Sequence, residues 1–194
     1  MKNPFLEANK KLWDAKTSHH VNSDFYKQKE FLEGECSLKE IELEELGDVN
    51  GKSLLHLQCH FGQDTISWAR RGAESTGIDF SPKAIKKARE MNEQLNLDVK
   101  FIESDVMKLD KNLEGKFDII FTSYGVIGWL PDLKPWAKII NYFLKPGGTF
   151  LIVEFHPTMW LFDWDTMDLA YHYFNVGKPD HEIEKGTYAD TEAE

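Results

Sequence analysis

Between Ser53 and Phe155 the chain alternates short, nearly unbroken apolar runs with segments of helical periodicity, and this alternation limits the fold more than any other feature. Ser53–Cys59 (SLLHLQC), Ser75–Phe80 (STGIDF), Val99–Ser104, Phe117–Tyr124 (FDIIFTSY) and Thr149–Phe155 (TFLIVEF) read as five strands. Helices are expected between them: Asp64–Arg71, closed by Gly72; a segment opened by Ser81-Pro82, with Ala84, Ile85, Ala88, Met91 and Leu95 on one face; and one carrying Leu133, Trp136, Ile139, Ile140 and Phe143, ended by Lys145-Pro146-Gly147-Gly148. Strands separated by helices predict an α/β fold, a doubly wound, Rossmann-like parallel sheet with helices on both faces. Runs such as FDIIF and FLIVEF agree, because both faces of such a strand are buried.

Ahead of the first strand, Asn3-Pro4 reads as a helix start with Pro in the first turn, and Phe5, Leu6, Ala8, Leu12 and Trp13 give that helix an apolar side. Residues 16–30 read as loop and short turns. Ser37-Leu38-Lys39-Glu40 has capping-box spacing, with Ile41, Leu43 and Leu46 following and Gly47 as the stop. Three parts are expected: a helical segment over 1–50, a ligand-binding core over 51–157, and a C-terminal extension over 158–194.

In an open α/β sheet the ligand sits outside the carboxyl ends of the strands, where strand order reverses. The loops there carry the candidate residues. After the first strand come Gln58, Cys59, His60, Gly62 and Asp64, with Gly62 letting the backbone pass close to a ligand. Asp79 and Phe80 end the second strand, and an acid there is placed to accept hydrogen bonds from ribose hydroxyls. Ser104, Asp105 and Val106 follow the third strand, where the carboxylate could meet an adenine amino group. Ser123 and Tyr124 follow the fourth, opposite the first loop.

Taken in order, LLHLQCHFGQDT, TGIDFSPKAIKKA, FIESD, FDIIFTSYG and LKPGGTFLIVEFHP resemble the motif series of class I S-adenosylmethionine (SAM) dependent methyltransferases over residues 51–157. The resemblance implies SAM as cofactor and methyl transfer to a small-molecule acceptor. The upstream NKKLWDAKTSHH…FY is similar to N-terminal helices that close over the cofactor in small-molecule members, which adds Trp13 to the cofactor-binding set. The first loop departs from the family pattern of acid-x-Gly-x-Gly-x-Gly: those positions hold His56, Gln58, His60 and Gly62. Either the cofactor site has decayed, or Gln58 and His60 offer side chains to the methionine portion of SAM. A non-catalytic SAM-binding protein therefore stays open as an alternative. So does a nicotinamide-dependent oxidoreductase, although that would need an intact G-x-G-x-x-G loop.

His156, at the end of the fifth strand, is the one candidate general base, with Glu154 two residues back on the same face as a group that could orient it or pair with a buried donor. No metal site is expected, since His56, Cys59 and His60 lack a fourth ligand and neighbouring strand residues point to opposite faces. A net charge of −10 disfavours a nucleic-acid partner. No apolar run approaches membrane-spanning length, no signal peptide is visible, and two cysteines make no disulfide framework, so a cytoplasmic location is expected. Oligomeric state is not readable. The family usually adds two strands after the fifth; YHYFNV is short and HEIEKGTYADTEAE too polar to supply them, so the fifth strand is expected to be an open edge and the chain to stop short of its family's length.

Overall fold

In the computed structural model, which describes residues 3–174, 176–177, 179 and 185–191, five parallel strands form one sheet. They are β1 (Ser53–Leu57), β2 (Glu74–Asp79), β3 (Lys100–Glu103), β4 (Phe117–Ser123) and β5 (Leu144–Val153), in the order β3-β2-β1-β4-β5. Strand order reverses between β1 and β4, so the crevice for a ligand opens at their carboxyl ends. The helices are α1 (Pro4–Asn22), α2 (Gln28–Glu33), α3 (Glu40–Leu46), α4 (Gln63–Arg70), α5 (Pro82–Gln94) and α6 (Leu133–Phe143).

Both faces of the sheet are covered. Leu55 and Leu57 of β1 and Ile120 of β4 join Trp136, Ile139, Ile140 and Phe143 of α6 in one core cluster. Their neighbours Leu54, Ile119 and Phe121 point the other way, toward Leu46 and Trp68 of α3 and α4. That alternation is the period of two expected of a pleated strand. A third cluster joins Ile66 of α4, Ile85, Ala88 and Met91 of α5, and Phe101 of β3.

Three readings of the sequence need correction. Residues 16–22 and 28–30 are not loop: α2 begins at Gln28, α1 runs to Asn22, and its last turns are held by the Thr17 hydroxyl, which donates to the Trp13 carbonyl at 2.8 Å, and by His20, whose Nδ1 lies 3.0 Å from His60 Nε2 in the loop after β1. Those long-range contacts override the weak local propensity of a Thr-Ser-His-His stretch. The helix cap before α3 is not set by Ser37 and Glu40. Instead the Lys39 N–H donates to Glu42 Oε2 at 2.9 Å, because the Ser37 hydroxyl is drawn to Asp64 at 2.6 Å. Finally, Lys145–Gly148 does not separate α6 from β5. Leu144 already pairs with Phe117, and the ladder resumes only at Ile119 with Thr149, so the Pro-Gly-Gly turn is a bulge within the strand. A Cβ on Gly148 would meet the Asp118 carbonyl oxygen at 2.8 Å.

Among the described residues no strand pairs with the outer edge of β5. Beyond it come a 3-10 turn (Pro157–Leu161) and isolated antiparallel bridges between Phe162 and Leu169 and between Thr187 and Asp190. Of the polar tail, residues 180–184 and 192–194 lie outside the described residues, and so does Asn175 within YHYFNV. Tyr188 folds back onto the N-terminal segment, its hydroxyl sharing a hydrogen bond with that of Tyr26 at 2.5 Å.

Candidate functional site

The carboxyl end of β2 is organised by one carboxylate. Asp79 is 8% exposed, and the backbone N–H groups of His60 and Ser81 donate to its two oxygens at 2.9 and 2.8 Å. Burial outweighs these bonds and raises its pKa to about 6. A single side chain therefore ties the loop after β1 to the turn that opens α5. With the Phe80 N–H also acting on it, part of its acceptor capacity stays free, since an ionised carboxylate offers about four lone-pair sites. Phe80 continues the backbone into that turn.

At the end of β3, Asp105 caps the 3-10 turn Val106–Lys111 by accepting the Met107 N–H at 3.0 Å, and its other oxygen pairs with Lys108 at 2.8 Å. Ser104 is buried, accepts from Asn112 at 2.8 Å and donates to the Asp105 carbonyl at 3.2 Å. Val106 is core. Asp105 is thus placed as the sequence implies but already engaged through both oxygens.

The loop after β1 is built unlike its neighbours. Gln58 and His60 both adopt left-handed backbone, at φ 55° and 51°, where glycine is the residue of least strain. What holds them there is side-chain contact. Gln58 Nε2 donates to the Val126 carbonyl at 3.2 Å, while its Oε1 is buried without a partner. The His60 ring is hemmed in by Phe61, Trp13, His20 and Tyr26, with ring centres 4.5 to 5.9 Å away. His60 Nε2 and His20 Nδ1 lie 3.0 Å apart and share one proton. Burial depresses both imidazoles, to about 3 for His60 and about 4 for His20, so the pair is neutral at ordinary pH. Gly62 (φ 84°) opens α4, yet the space beside it is filled by packing: a Cβ there would lie 2.5 Å from the Phe101 ring. Cys59 is buried beneath the loop, and its thiol is pushed well up. His56 is buried in β1, where Nδ1 and the Thr65 hydroxyl meet at 2.8 Å and burial lowers it to about 3.

Helix α1 lies across these strand ends. Lys10 pairs with Glu103 at the end of β3 at 3.3 Å. Asp14 accepts from the Ser81 hydroxyl at 2.9 Å and the Lys83 N–H at 3.0 Å, just past β2. Trp13 meets Trp129 of the segment after β4 edge-on, ring centres 5.4 Å apart, and Asn9 Nδ2 reaches the Trp129 carbonyl at 3.5 Å.

The segment after β4 hangs from Glu154, whose carboxylate accepts the consecutive N–H groups of Gly125, Val126 and Ile127 at 2.6, 2.8 and 3.2 Å. It does not orient His156. That histidine is exposed and caps the following turn, its Nδ1 2.8 Å from the Thr158 hydroxyl. Ser123 donates to Asp64 at 3.3 Å, and Tyr124 (φ 52°) is 40% exposed. Among the described residues, no group of three or more His, Cys, Asp or Glu stands close enough to hold a metal ion.

A methyltransferase-domain profile matches residues 48–188. The chain belongs to that methyltransferase-domain family. It is 34% identical to an uncharacterised methyltransferase of Synechocystis over 66% of this chain and 59% of the relative. It is 31% identical to a ubiquinone biosynthesis O-methyltransferase of Alkalilimnicola ehrlichii over 60% of this chain and 48% of that one. The chain thus spans about half the length of the curated relatives it matches. Among solved structures, a Pyrococcus horikoshii protein superposes with TM-score 0.55 and 27% identity over 68% of this chain and 55% of its own. A SAM-dependent methyltransferase from Clostridium acetobutylicum, 22% identical with TM-score 0.52 over 68% of this chain and 51% of its own, shares the fold.

Within this methyltransferase domain the structure gathers Trp13, Gln58, His60, Asp79 and, one strand along, Ser104 and Asp105 at one end of the sheet. It leaves His156 on the surface. Sequence reasoning singled out the Trp13 and His19–Tyr26 stretch as a lid but missed Lys10 and Asp14, which recur with Trp13, Thr17 and His20 at three- and four-residue spacing. That helical signal was available, had the stretch after residue 16 not been read as loop. Tyr188 carried no such signal.

Proposed function

We propose that this chain binds SAM across the carboxyl ends of β1 to β4 and serves methyl transfer to a small-molecule acceptor. The observation that carries the reading is Asp79, a buried carboxylate at the end of β2 that retains acceptor capacity beside the reversal of strand order. A ribose hydroxyl fits what it still lacks, and hydrogen bonds to a carboxylate are the stronger kind. The orphaned Oε1 of Gln58 likewise calls for a donor at the methionine end. Bound SAM supplies a methyl group already activated on a sulfonium. The chain's own part is then to align an acceptor and exclude water, for which Trp13, Trp129 and Tyr26 offer dry walls and α1 a lid. A proton-accepting side chain is needed only where the acceptor must lose a proton. His156 would take that part only by leaving its cap on Thr158.

A small acceptor fits the strongly negative chain and the quinone-pathway name of the Alkalilimnicola relative. A cytoplasmic location belongs to the same proposal, on the two cysteines, Cys36 exposed and Cys59 buried, that stay unpaired. Calorimetry with SAM and S-adenosylhomocysteine tests binding, and labelled methyl transfer into a metabolite extract tests activity. Binding of NADH in place of SAM would overturn the reading; SAM binding without transfer to any acceptor would reduce it to a cofactor-binding protein.

A further inference from the structure

Trp13 of α1 and Trp129 of the segment after β4 stand nearly perpendicular, at 82°, and form two sides of a corner at the mouth of the crevice. Lys16, one helical turn on from Trp13, reaches into that corner. Its Nζ lies 5.5 Å from the Trp13 ring centre and 5.8 Å from that of Trp129. Both distances fall within the roughly 6 Å over which a ring face attracts a cation. All three residues are half-buried. The charge also reaches inward, adding to the burial that keeps His60 and His20 neutral. One positive charge is thus held against the dry wall of the crevice, within reach of the loop after β1.

The bases around it are occupied. Asp79 and Glu154 accept backbone N–H groups, His60 and His20 face each other in a buried pair, and His156 caps an exposed turn. A neutral alcohol would need a base to take its proton, and an amine would bring a second cation to a corner that already holds one. An oxygen anion needs neither concession. Its attack on a sulfonium cancels two charges, and a site that excludes water favours that cancellation because neither charge keeps its hydration there.

We propose that the methyl acceptor is an oxygen acid, a carboxylic acid or an acidic phenol, that reacts as its anion, and that Lys16 holds it beside the two indoles. The inference rests on the SAM reading above and narrows it to a substrate class. An electron pair of the acceptor oxygen forms the new C–O bond, the S–C bond breaks onto sulfur, and no proton remains to be removed. Lys16 keeps its own proton throughout; its part is to bind and orient.

The test compares the parent chain with Lys16→Met, which keeps a side chain of similar length on the indoles, and with Lys16→Arg, which keeps the charge. Calorimetry with S-adenosylhomocysteine comes first, and equal affinity in all three is expected. Failure of the parent to bind it sinks the SAM reading, and the anion titration into ligand-free protein then judges Lys16 alone. A loss in Lys16→Met for S-adenosylhomocysteine but not for 5′-methylthioadenosine, which lacks the carboxylate, would assign Lys16 to the cofactor and overturn the proposal. Benzoate and 4-nitrophenol are then titrated into the S-adenosylhomocysteine complex, with benzylamine and benzyl alcohol as cationic and neutral counterparts of similar shape. The parent and Lys16→Arg should bind at least one of the two acids, and Lys16→Met should bind it about tenfold or more weakly at an unchanged melting temperature. Benzoate as the tighter probe points to a carboxylic acid. 4-Nitrophenol as the tighter probe, with a stronger visible phenolate band when bound than when free at the same pH, points to a phenol. Should Lys16→Met melt early, the parent's preference for benzoate over benzylamine still decides. Benzylamine or benzyl alcohol bound as tightly as benzoate and 4-nitrophenol, equal affinity for the acids in a folded Lys16→Met, or binding of neither acid overturns the proposal.

Discussion

The two halves of the strand-end crevice are built on opposite plans. At the ends of β2 and β3, short acids organise backbone N–H groups: Asp79 gathers those of His60 and Ser81, and Asp105 that of Met107. At the ends of β1 and β4, bulky side chains stand where glycines would suffice, and Gln58, His60 and Tyr124 are held in left-handed backbone by contacts from elsewhere. The first half depends on residues two to 19 positions apart. The second depends on α1 and Tyr26, with His20, 40 positions from His60, itself met by Tyr188 from 168 positions away. A loop with side chains can be as well ordered as a glycine loop, but only while a distant segment is docked on it.

The largest expected effect probes the one glycine both plans share. Gly62→Val should destabilise the fold by about 3 kcal/mol, since its Cβ would strike Phe101 at a backbone angle disfavoured for any side chain. Urea denaturation checks this, and an unchanged midpoint would mean that the Phe101 contact yields freely.

Acidity should act more on the second half than on the first. His20 and His60 titrate well below the ordinary histidine value when folded, so the unfolded chain takes up protons first. Their contribution is intact above about pH 6.5 and lost as pH falls toward 4, on the order of 2 kcal/mol for the coupled pair. Asp79 works in the opposite sense: its folded pKa of about 6 is raised, so its contribution is present at low pH and lost as pH rises through 6. Unfolding free energies measured from pH 7 to 4 should fall less steeply in His60→Gln than in the parent. Parallel curves would show that the pair is not buried in solution.

Ligand affinity should distinguish the halves again. Asp79→Ala should weaken SAM binding by about 2 kcal/mol through lost charge-assisted bonds. Glu154→Gln should cost about 1 kcal/mol of stability, because one of its oxygens becomes an N–H₂ facing N–H donors of the 125–127 segment. The smallest change is expected from restoring glycine at Gln58 and His60 together. Relief of backbone strain and loss of side-chain contacts nearly offset, so SAM affinity should not improve. A clear gain would mean that the side chains obstruct a decayed loop.

Much of this was legible because it is local. The strand-helix alternation, the Ser81-Pro82 start of α5 and the placement of Asp79 and Asp105 all follow from spacings shorter than a turn of chain. The misread parts are those where a distant partner outcompetes a local one. Ser37 has the spacing of a cap, but Asp64 takes its hydroxyl. Glu154 has the spacing to orient His156, but four backbone N–H groups claim its carboxylate. His19-His20 looks like loop, but His60 and Tyr26 hold His20 in a buried helical turn.

By itself, then, the sequence determined the sheet, the helices on its faces, the family and the acids at β2 and β3, because periodicity and short-range hydrogen bonding are properties of neighbours along the chain. Only the tertiary structure decided that α1 lies over the crevice, that His60 is a buried partner of His20, and that Asp64 takes the Ser37 hydroxyl. Those outcomes depend on which side chains, remote in sequence, compete successfully for the same buried polar atoms, and no spacing along one strand or helix encodes that competition.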